Sequence, residues 1–181
     1  MKLAYATLLW LCFLTACHGA QGNTGQPADR LSIERLYPLR TGSVWTYDVD
    51  TGDGPPTLAI TRVVSSASGR AEVSSGGAPI VYEQRPDGLY RADRGVYVLK
   101  LPLRVGASWD AGQGATAEVL DLDKQLTTEA GQFTGCVEVR ESAGAGQKVV
   151  RTVFCPDVGP VEVDSSLQLA VSGGAARVVA R

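Results

Sequence analysis

The sequence predicts an all-β domain: an antiparallel meander that forms a strongly curved sheet, a half-barrel or an open barrel. From Leu31 onward, short runs rich in Val, Thr, Tyr and Ile alternate apolar and polar residues, which is the period of a half-buried strand. Clusters of Gly, Pro, Asp and Ser separate these runs at intervals of roughly 8–12 residues. Consecutive antiparallel strands with one dry face must curl or stack to bury it, so a two-sheet sandwich is the second choice.

The alternation places the elements in order along the chain. Residues 31–36 form at most one helical turn, and no stretch carries an apolar stripe of helical period over three turns. Turn residues suited to positive or fixed φ lie at 53–56, 68–69, 76–77, 86–88 and 173–174. The predicted strands are 43–50, 57–65, 70–75, 79–85, 88–92, 95–101, 108–111, 115–122, 124–130, 133–142, 147–155, 161–164, 166–171 and 176–180.

The first seventeen residues predict a lipid anchor. Lys2 precedes an uncharged stretch, residues 3–14, that is too short to span a membrane as a stable helix. Residues 14–17 (LTAC) resemble the lipobox of bacterial lipoprotein signals. The resemblance implies that residues 1–16 are a signal peptide and that Cys17 carries a diacylglyceryl group and an N-acyl chain, a stable anchor with several chains. An ordinary secretory signal that ends in a chance cysteine is the alternative.

A polar tether is predicted to follow the lipidated Cys17. Residues 18–30 are rich in Gly and Gln and have no apolar period, which favours a flexible linker between the bilayer and a single domain at 31–181. The residue after the cysteine is His18 and not Asp. By analogy with enteric lipoproteins, this favours sorting to the outer membrane, with the domain facing the periplasm.

Composition excludes some partners. The formal net charge is −2 and the pI is near 5.4, whereas a nucleic-acid-binding surface needs a basic patch. We therefore expect no nucleic-acid partner. The chain has 44% hydrophobic and 20% charged residues, which is ordinary for one globular domain.

A short segment occurs twice. Residues 38–45 (PLRTGSVW) and 102–109 (PLRVGASW) share five identities in eight positions. Pro stops one strand, Gly permits the turn, and Trp45 or Trp109 anchors the next strand in the core. Because the match ends at the tryptophans, a local recurrence is favoured over a duplication of the whole domain.

These segments resemble a family of exported β-rich bacterial proteins of unknown function. Members carry an opening like YFPLKVGNTWTYEV, here residues 37–49 (YPLRTGSVWTYDV), and a second PLKVGxxW in mid-chain. A late APGVGLVK-like segment corresponds to residues 155–162 (CPDVGPVE). The resemblance implies a β-rich envelope domain, and it provides no catalytic residues to transfer.

Two of the four cysteines remain for a disulfide. Cys12 leaves with the signal and Cys17 receives lipid, so Cys136 and Cys155 form an even pair in an exported, oxidising setting. Folding residues 136–155 about a two-residue loop at 145–146 places the two cysteines opposite each other, and the bond is predicted. Two reduced, buried thiols are the alternative. The register predicts three more opposed pairs, the first two buried and the third a like-charge pair: Val137–Phe154, Val139–Thr152 and Arg140–Arg151.

The sequence offers no catalytic or metal site. The only histidine is His18 in the tether, which removes histidine-based triads and His-rich zinc sites from the domain. The acidic cluster at 48–54 fails the register of a calcium loop and is predicted to be a solvated hairpin turn. Asp121 and Asp123 are expected on the wet side of one strand. We predict no cofactor and no metal.

The leading functional prediction is a lipid-anchored, non-enzymatic binding or assembly module of the cell envelope. It is either a carrier of lipid or another hydrophobic ligand, or a protein-binding accessory factor, and a carboxylate-based hydrolase is the alternative. Tyr82, Tyr90 and Tyr97 fall in successive strands and could line a concavity, but buried cross-strand packing is favoured. The identity of the ligand or partner is not encoded in any motif.

Overall fold

Twelve antiparallel strands form one sheet that curves into a nearly closed barrel, in a computed structural model that describes residues 31–168 and 173–181. The prediction of an open barrel is confirmed. The predicted signal peptide and the predicted tether, with Cys17 and His18, lie outside the described residues.

The elements of the described chain run in a simple order. One helical turn, α1 (Ile33–Leu36), precedes the strands, as predicted. The strands are β1 (Val44–Asp50), β2 (Thr57–Ala67), β3 (Arg70–Ser74), β4 (Ile80–Arg85), β5 (Gly88–Arg91), β6 (Val96–Lys100), β7 (Ser108–Gly112), β8 (Ala115–Thr128), β9 (Gly131–Ala143), β10 (Lys148–Cys155), β11 (Gly159–Gln168) and β12 (Gly173–Ala180).

The sheet consists of two six-stranded meanders. The strand order is β6-β5-β4-β3-β2-β1-β12-β11-β10-β9-β8-β7, so a first half (β1–β6) joins a second half (β7–β12) where β1 pairs with β12. The two edge strands, β6 and β7, face each other across a seam. There the Trp109 Nε1–H donates to the Tyr97 carbonyl oxygen at 3.0 Å. The curvature of the sheet thus covers both edges, which otherwise invite pairing with another chain.

Two predicted strand breaks are wrong. The predicted strands 115–122 and 124–130 form the single strand β8, because bulges near Asp121 and Lys124 shift the register without ending the ladder. The predicted break between strands 161–164 and 166–171 is likewise absent from β11, in which Ser165 and Ser166 stay paired with β12; residues 169–171 lie outside the described residues. In both strands, polar residues that interrupt the apolar alternation lie within a continuous strand and do not end it.

The glycine turns of the two PLRxGxxW copies have the same backbone hydrogen bonds. Gly42 N–H donates to the Val63 carbonyl and Gly106 N–H donates to the Val119 carbonyl, both at 2.9 Å. Both glycines have positive φ, 87° and 80°, a conformation that glycine adopts without steric cost. Each copy introduces the first strand of one half of the sheet, β1 or β7. The two copies therefore lie at equivalent positions, directly before the first strand of each half of the sheet.

Both repeat tryptophans anchor the core, as predicted. Trp45 and Trp109 are buried, and each indole N–H donates to a backbone carbonyl. The side chains that share their core are mostly aliphatic and aromatic. They include Leu36, Tyr37, Val63, Val73, Leu89, Leu99, Val119, Val137, Phe154 and Val161.

A disulfide joins Cys136 to Cys155, with an S–S distance of 2.06 Å. The predicted hairpin register is confirmed, because the pairing of β9 with β10 is centred between residues 145 and 146, as predicted. The predicted two-residue loop is wrong, because residues 144–147 form a four-residue turn with that centre. The like-charge pair is accommodated on the outer face, where Arg140 forms an ion pair with Glu118 and Arg151 is exposed. The three predicted pairs are Val137–Phe154, Val139–Thr152 and Arg140–Arg151.

Candidate ligand-binding cavity inside the barrel

An interior cavity of about 250 Å³ lies inside the barrel. Its wall combines strands of both halves, because the curvature of the sheet brings β4–β6 opposite β9–β11. Three polar residues, Arg91, Glu141 and Thr152, also reach this cavity. Its apolar and aromatic lining residues include Tyr37, Tyr82, Val98, Val139, Phe154 and Val163.

Tyr37 forms the floor of the interior cavity. It follows α1 directly, and its ring contacts Tyr82, Trp45 and Phe154 at centroid distances of 5.3, 5.6 and 6.2 Å. Such tilted and edge-on geometries are favourable for aromatic pairs. Burial raises the pKa of the Tyr37 and Tyr82 phenols, so both stay neutral and act as hydrogen-bonding groups only.

The turn at residues 156–158 holds α1 in place beneath the cavity. Asp157 N–H donates to the Arg35 carbonyl at 2.7 Å, and the Arg35 guanidinium pairs with the Asp157 carboxylate. This charge-assisted pair lowers the pKa of Asp157. Tyr47 O–H donates to the Pro160 carbonyl at 2.9 Å just beyond the turn. The segment that resembles APGVGLVK therefore fastens the α1 end of the barrel.

Gly159 permits the close packing in this turn. Its φ is +104°, and a Cβ atom here would lie 3.1 Å from Trp45 Nε1 and 3.3 Å from Tyr37 Cδ2. Only a residue without a side chain satisfies both the backbone conformation and the approach of the two rings. The glycine thus fixes the position of the aromatic floor.

Arg91 brings charge into the wall of the interior cavity. Its side chain is 19% exposed and forms an ion pair with Asp93 at 2.9 Å. Hydrogen bonding to Arg91 lowers the pKa of Asp93. The paired carboxylate partly neutralises the guanidinium, which is what a half-buried cation requires.

Glu141 separates the interior cavity from a second, smaller one. It lies opposite Ala117 on β8 and Val150 on β10, on the same face of β9 as the buried Val139. Burial raises its pKa, against the opposing influence of Arg94, Lys148 and Arg91. The second space, which we call the rim cavity, has a volume of about 90 Å³ and lies between Arg94, Gly112, Gln113, Glu141 and Lys148.

The predicted tyrosine cluster is divided between the two faces of the sheet. Tyr82 lines the interior cavity, whereas Tyr90 and Tyr97 form a T-shaped cross-strand pair with centroids 5.2 Å apart. Arg85 lies over the Tyr90 ring and Tyr97 donates to Asp87. Cross-strand pairing is thus confirmed for Tyr90 and Tyr97, but their predicted burial is wrong, because both are half-exposed. Tyr82 has the place in the concavity.

The acidic candidates have local structural roles. Asp50 Oδ1 accepts a hydrogen bond from Gly52 N–H in the turn after β1, and Asp121 Oδ1 accepts one from Asp123 N–H at the β8 bulge. Asp123 is exposed to solvent, as predicted. Asp121 is half-buried, so the predicted solvent exposure is only partly confirmed for this residue. Within the described ranges, no three His, Cys, Asp or Glu residues are grouped so that they could hold a metal ion.

The sequence prediction missed the polar groups of the cavities. The sequence contained one signal for Glu141. This residue follows Val137 and Val139 at the same spacing of two, so the predicted hairpin places it on the buried face of the strand. An acidic residue in phase with a buried stripe marks either a wet end of the strand or an interior polar site. Arg91 and Arg94 gave no such signal, since they lie at a turn.

The outer face of β1 and β2 carries an apolar strip of a different character. Its four side chains are 46–56% exposed, although aliphatic residues of this size are usually buried. They point away from the barrel interior, in alternation with the inward-facing Trp45 and Val63. The outer strip consists of Val44, Leu58, Ile60 and Val64.

No helix in the part of the chain that the structure describes combines the length and the apolar character of a membrane span.

Comparison with known proteins identifies structural neighbours only. No family model matches the chain, and no curated protein matches it. One similar solved structure is a protein of Bacteroides fragilis whose export is inferred and whose fold is described as YmcC-like; it has 13% identity and a TM-score of 0.49, and the match covers 81% of this chain and 97% of that one. Another is an inferred lipoprotein of Parabacteroides distasonis, with 13% identity, a TM-score of 0.42, and coverages of 81% and 96%.

Proposed function

We propose that this chain is a lipid-anchored binding module of the bacterial cell envelope that holds a small hydrophobic ligand inside its barrel. The observation that carries the proposal is the interior cavity, which is lined mainly by apolar side chains of both halves and reached by a few polar groups. A concave apolar cavity with convergent polar groups of shifted pKa is the usual form of a small-molecule site.

The volume of the cavity limits the ligand. At about 30 Å³ per water-sized group, 250 Å³ holds about eight such groups. A short alkyl chain or a single ring with substituents fills this space. A complete long-chain lipid exceeds it, so the proposed ligand is a small amphiphile or one end of a longer molecule.

Binding, and not hydrolysis, is the activity that the cavity favours. A carboxylate-based hydrolase uses a pair of carboxyl groups that flank the scissile bond. Glu141 has Arg91 as its charged neighbour in the interior cavity and Arg94 and Lys148 on its rim side, and the carboxylate of Asp93 is engaged by Arg91. Glu141 thus has cationic neighbours where a catalytic pair would place a second carboxyl.

The proposed location is the envelope, with the domain on the periplasmic side of the outer membrane. The lipobox at residues 14–17 and the absence of Asp after Cys17 favour this address, and the Cys136–Cys155 bond suits an oxidising compartment. The partner is thus a membrane, through the lipid. We expect Cys17→Ser to abolish incorporation of labelled palmitate in the native host, and equal labelling of the variant would contradict the anchor.

Ligand binding is tested with octan-1-ol as the probe. The soluble domain is exported with a cleavable signal and begins at Asp29, which retains every buried side chain that the structure describes; cooperative thermal unfolding checks its fold. We expect saturable binding by calorimetry, and a loss of at least about tenfold in affinity for Val98→Phe, because the larger ring fills the cavity.

Val105→Phe is the matched control, since Val105 is 64% exposed and lies outside the cavity. Octan-1-ol that fails to bind, or that binds both variants equally, would contradict the proposed site. Native mass spectrometry of the full chain from its own envelope then identifies the natural ligand by its mass.

A second candidate function is the binding of an envelope protein through the outer strip. Exposed apolar groups that adjoin one another on a monomer commonly mark an interaction surface, and Leu58 and Ile60 are both more than half exposed. A photo-crosslinking residue at Ile60 should capture one defined envelope protein in the native host. The same residue at Gln125, which is exposed on β8, is the control. Equal labelling at both positions would contradict a specific interface.

A further inference from the structure

The rim cavity gathers more positive than negative charge. Three charged side chains line it: the cations Arg94 and Lys148 and the carboxylate of Glu141. The neighbouring Arg91 lines the interior cavity instead and is already paired. Arg91 is engaged by Asp93 at 2.9 Å. Among the described residues, neither Arg94 nor Lys148 has a carboxylate within ion-pair distance. The cluster therefore keeps one uncompensated positive charge and two cations with free hydrogen-bond donors.

The size and lining of the rim cavity fit a small polar group. Its volume of about 90 Å³ equals about three water-sized groups, which is the size of a carboxylate or a phosphate. Small residues, Ala111, Gly112 and Ala143, form much of the wall and leave the space between the two cations open. Gly112 is packed so closely on the β6 side that a Cβ atom would lie 2.6 Å from Val96 Cγ1.

Glu141 borders both cavities. Val150 lines the rim cavity and Thr152, two residues further along β10, lines the interior cavity, so the two spaces are neighbours. The two spaces together suit a molecule with one apolar and one polar end.

We propose that the ligand is an amphipathic anion whose apolar part fills the interior cavity and whose carboxylate or phosphate lies in the rim cavity between Arg94 and Lys148. This assignment rests on the proposed function, since it names the class of ligand for the same site. Charge-assisted hydrogen bonds from a guanidinium and an ammonium group supply the recognition.

Glu141 does not oppose an anion in this arrangement. Burial raises the pKa of its carboxyl, and a nearby anion raises it further, which favours the neutral form that can donate a hydrogen bond to the ligand. A cationic head group would instead lie beside Arg94 and Lys148, which repel it.

Four probes with a common eight-carbon chain test this assignment on the same soluble domain: octanoate, octyl phosphate, octan-1-ol and octylamine. We expect octanoate or octyl phosphate to bind about tenfold more tightly than octan-1-ol, and the better of the two identifies the head group. Inorganic phosphate alone should bind far more weakly, because it leaves the apolar cavity empty.

Two charge-removing variants locate the head group. Arg94→Ala and Lys148→Ala should each lower the affinity for the anionic probe several-fold and leave that for octan-1-ol unchanged. Arg62→Ala, an exposed arginine on β2, is the control. Glu141→Gln should keep or raise the affinity for the anion, since a neutral amide still donates a hydrogen bond.

The outcomes separate the two proposals. If octan-1-ol binds as tightly as the anions and the variants have no effect, the anion assignment is wrong and the hydrophobic site stands. Tighter binding of octylamine that depends on Glu141 would likewise overturn the assignment. If no probe binds, the proposed function itself is wrong.

Discussion

The two halves of the sheet begin with the same eight-residue device and are then stabilised in different ways. In the first half, β3 to β6 are four to six residues long, whereas β8 and β9 in the second half have 14 and 13 residues. Short strands have few ladder hydrogen bonds and depend on what they bury. Long hairpins have many, and they also present a large outer face that must remain soluble.

The first half relies on aromatic packing. Trp45 and Tyr47 on β1 and Tyr82 on β4 are buried, and Tyr37 joins them from the segment after α1. Both Trp45 and Tyr47 donate hydrogen bonds to the backbone at the start of β11. The aromatic cluster therefore also attaches the first half to the second.

The second half has a disulfide and a charged outer face on its long strands. The disulfide joins β9 to β10. On the outer face, charged residues lie side by side in one register row across six strands. In the order of the sheet, the row is Glu118, Arg140, Arg151, Asp164, Arg177 and Asp50.

This contrast explains where the surface differs. The charged row keeps the long hairpins of the second half polar outside, and its exposed ion pairs contribute little to stability individually. On the outside of β2 the first half presents the apolar outer strip instead. The same architecture thus offers one face that resists association and one that permits it.

Removing the repeat tryptophans should have the largest effect and should distinguish the halves. Trp45→Ala and Trp109→Ala each remove a buried indole, and we expect each to lower the free energy of unfolding by about 3–5 kcal/mol. Trp45 should be the more costly, because it packs on Tyr37 and Gly159. Trp109 is also buried, but its indole N–H bonds across the seam to β6 and no aromatic ring among the described residues packs on it. Urea denaturation measures both values.

Trp45→Phe and Trp109→Phe are the controls, since they keep a ring and lose the N–H donor. They should cost clearly less than the alanine variants. Alanine variants that unfold at the same urea concentration as wild type would show that these indoles are not structural anchors.

Removing the disulfide should have an intermediate effect that is confined to the second half. The bond closes a loop with a sequence separation of 19, and the chain-entropy model gives a stabilisation of about 3 kcal/mol for a loop of this size. The double variant Cys136→Ala, Cys155→Ala should therefore lose about this amount. Hydrogen exchange should accelerate in β9 and β10 before it does in β3 to β6.

Mass mapping under non-reducing conditions provides the control on the exported wild type. It should yield one peptide pair linked through Cys136 and Cys155. Two alkylated, free thiols would contradict the bond, and equal acceleration of exchange throughout the barrel would contradict the independence of the halves.

The sequence was sufficient where structure depends on neighbours in the chain. Alternation predicted most strands, and the hairpin of β9 and β10 could be aligned because small residues fix its centre and two cysteines oppose each other. The cavity could not be predicted in this way. Arg91 and Arg94 lie at the β5–β6 turn and Glu141 on β9, and only the approach of β6 to β7 brings these segments together. That approach depends on the curvature of the whole sheet, which no local pattern encodes.

The smallest expected effect tests whether the repeat devices are equivalent. Gly42 and Gly106 have similar positive φ values, and no atom lies within 4 Å of a Cβ built on either residue. Gly42→Ala and Gly106→Ala should therefore each cost about 1–2 kcal/mol, from the left-handed backbone alone, and the two costs should agree. Gly159→Ala is the contrasting variant, because its Cβ also meets Trp45 and Tyr37, and it should cost more. Thermal and urea unfolding of the three variants measure this order. A clear inequality between Gly42→Ala and Gly106→Ala would mean that the two halves, despite their common hydrogen bonds, depend on this turn to different degrees.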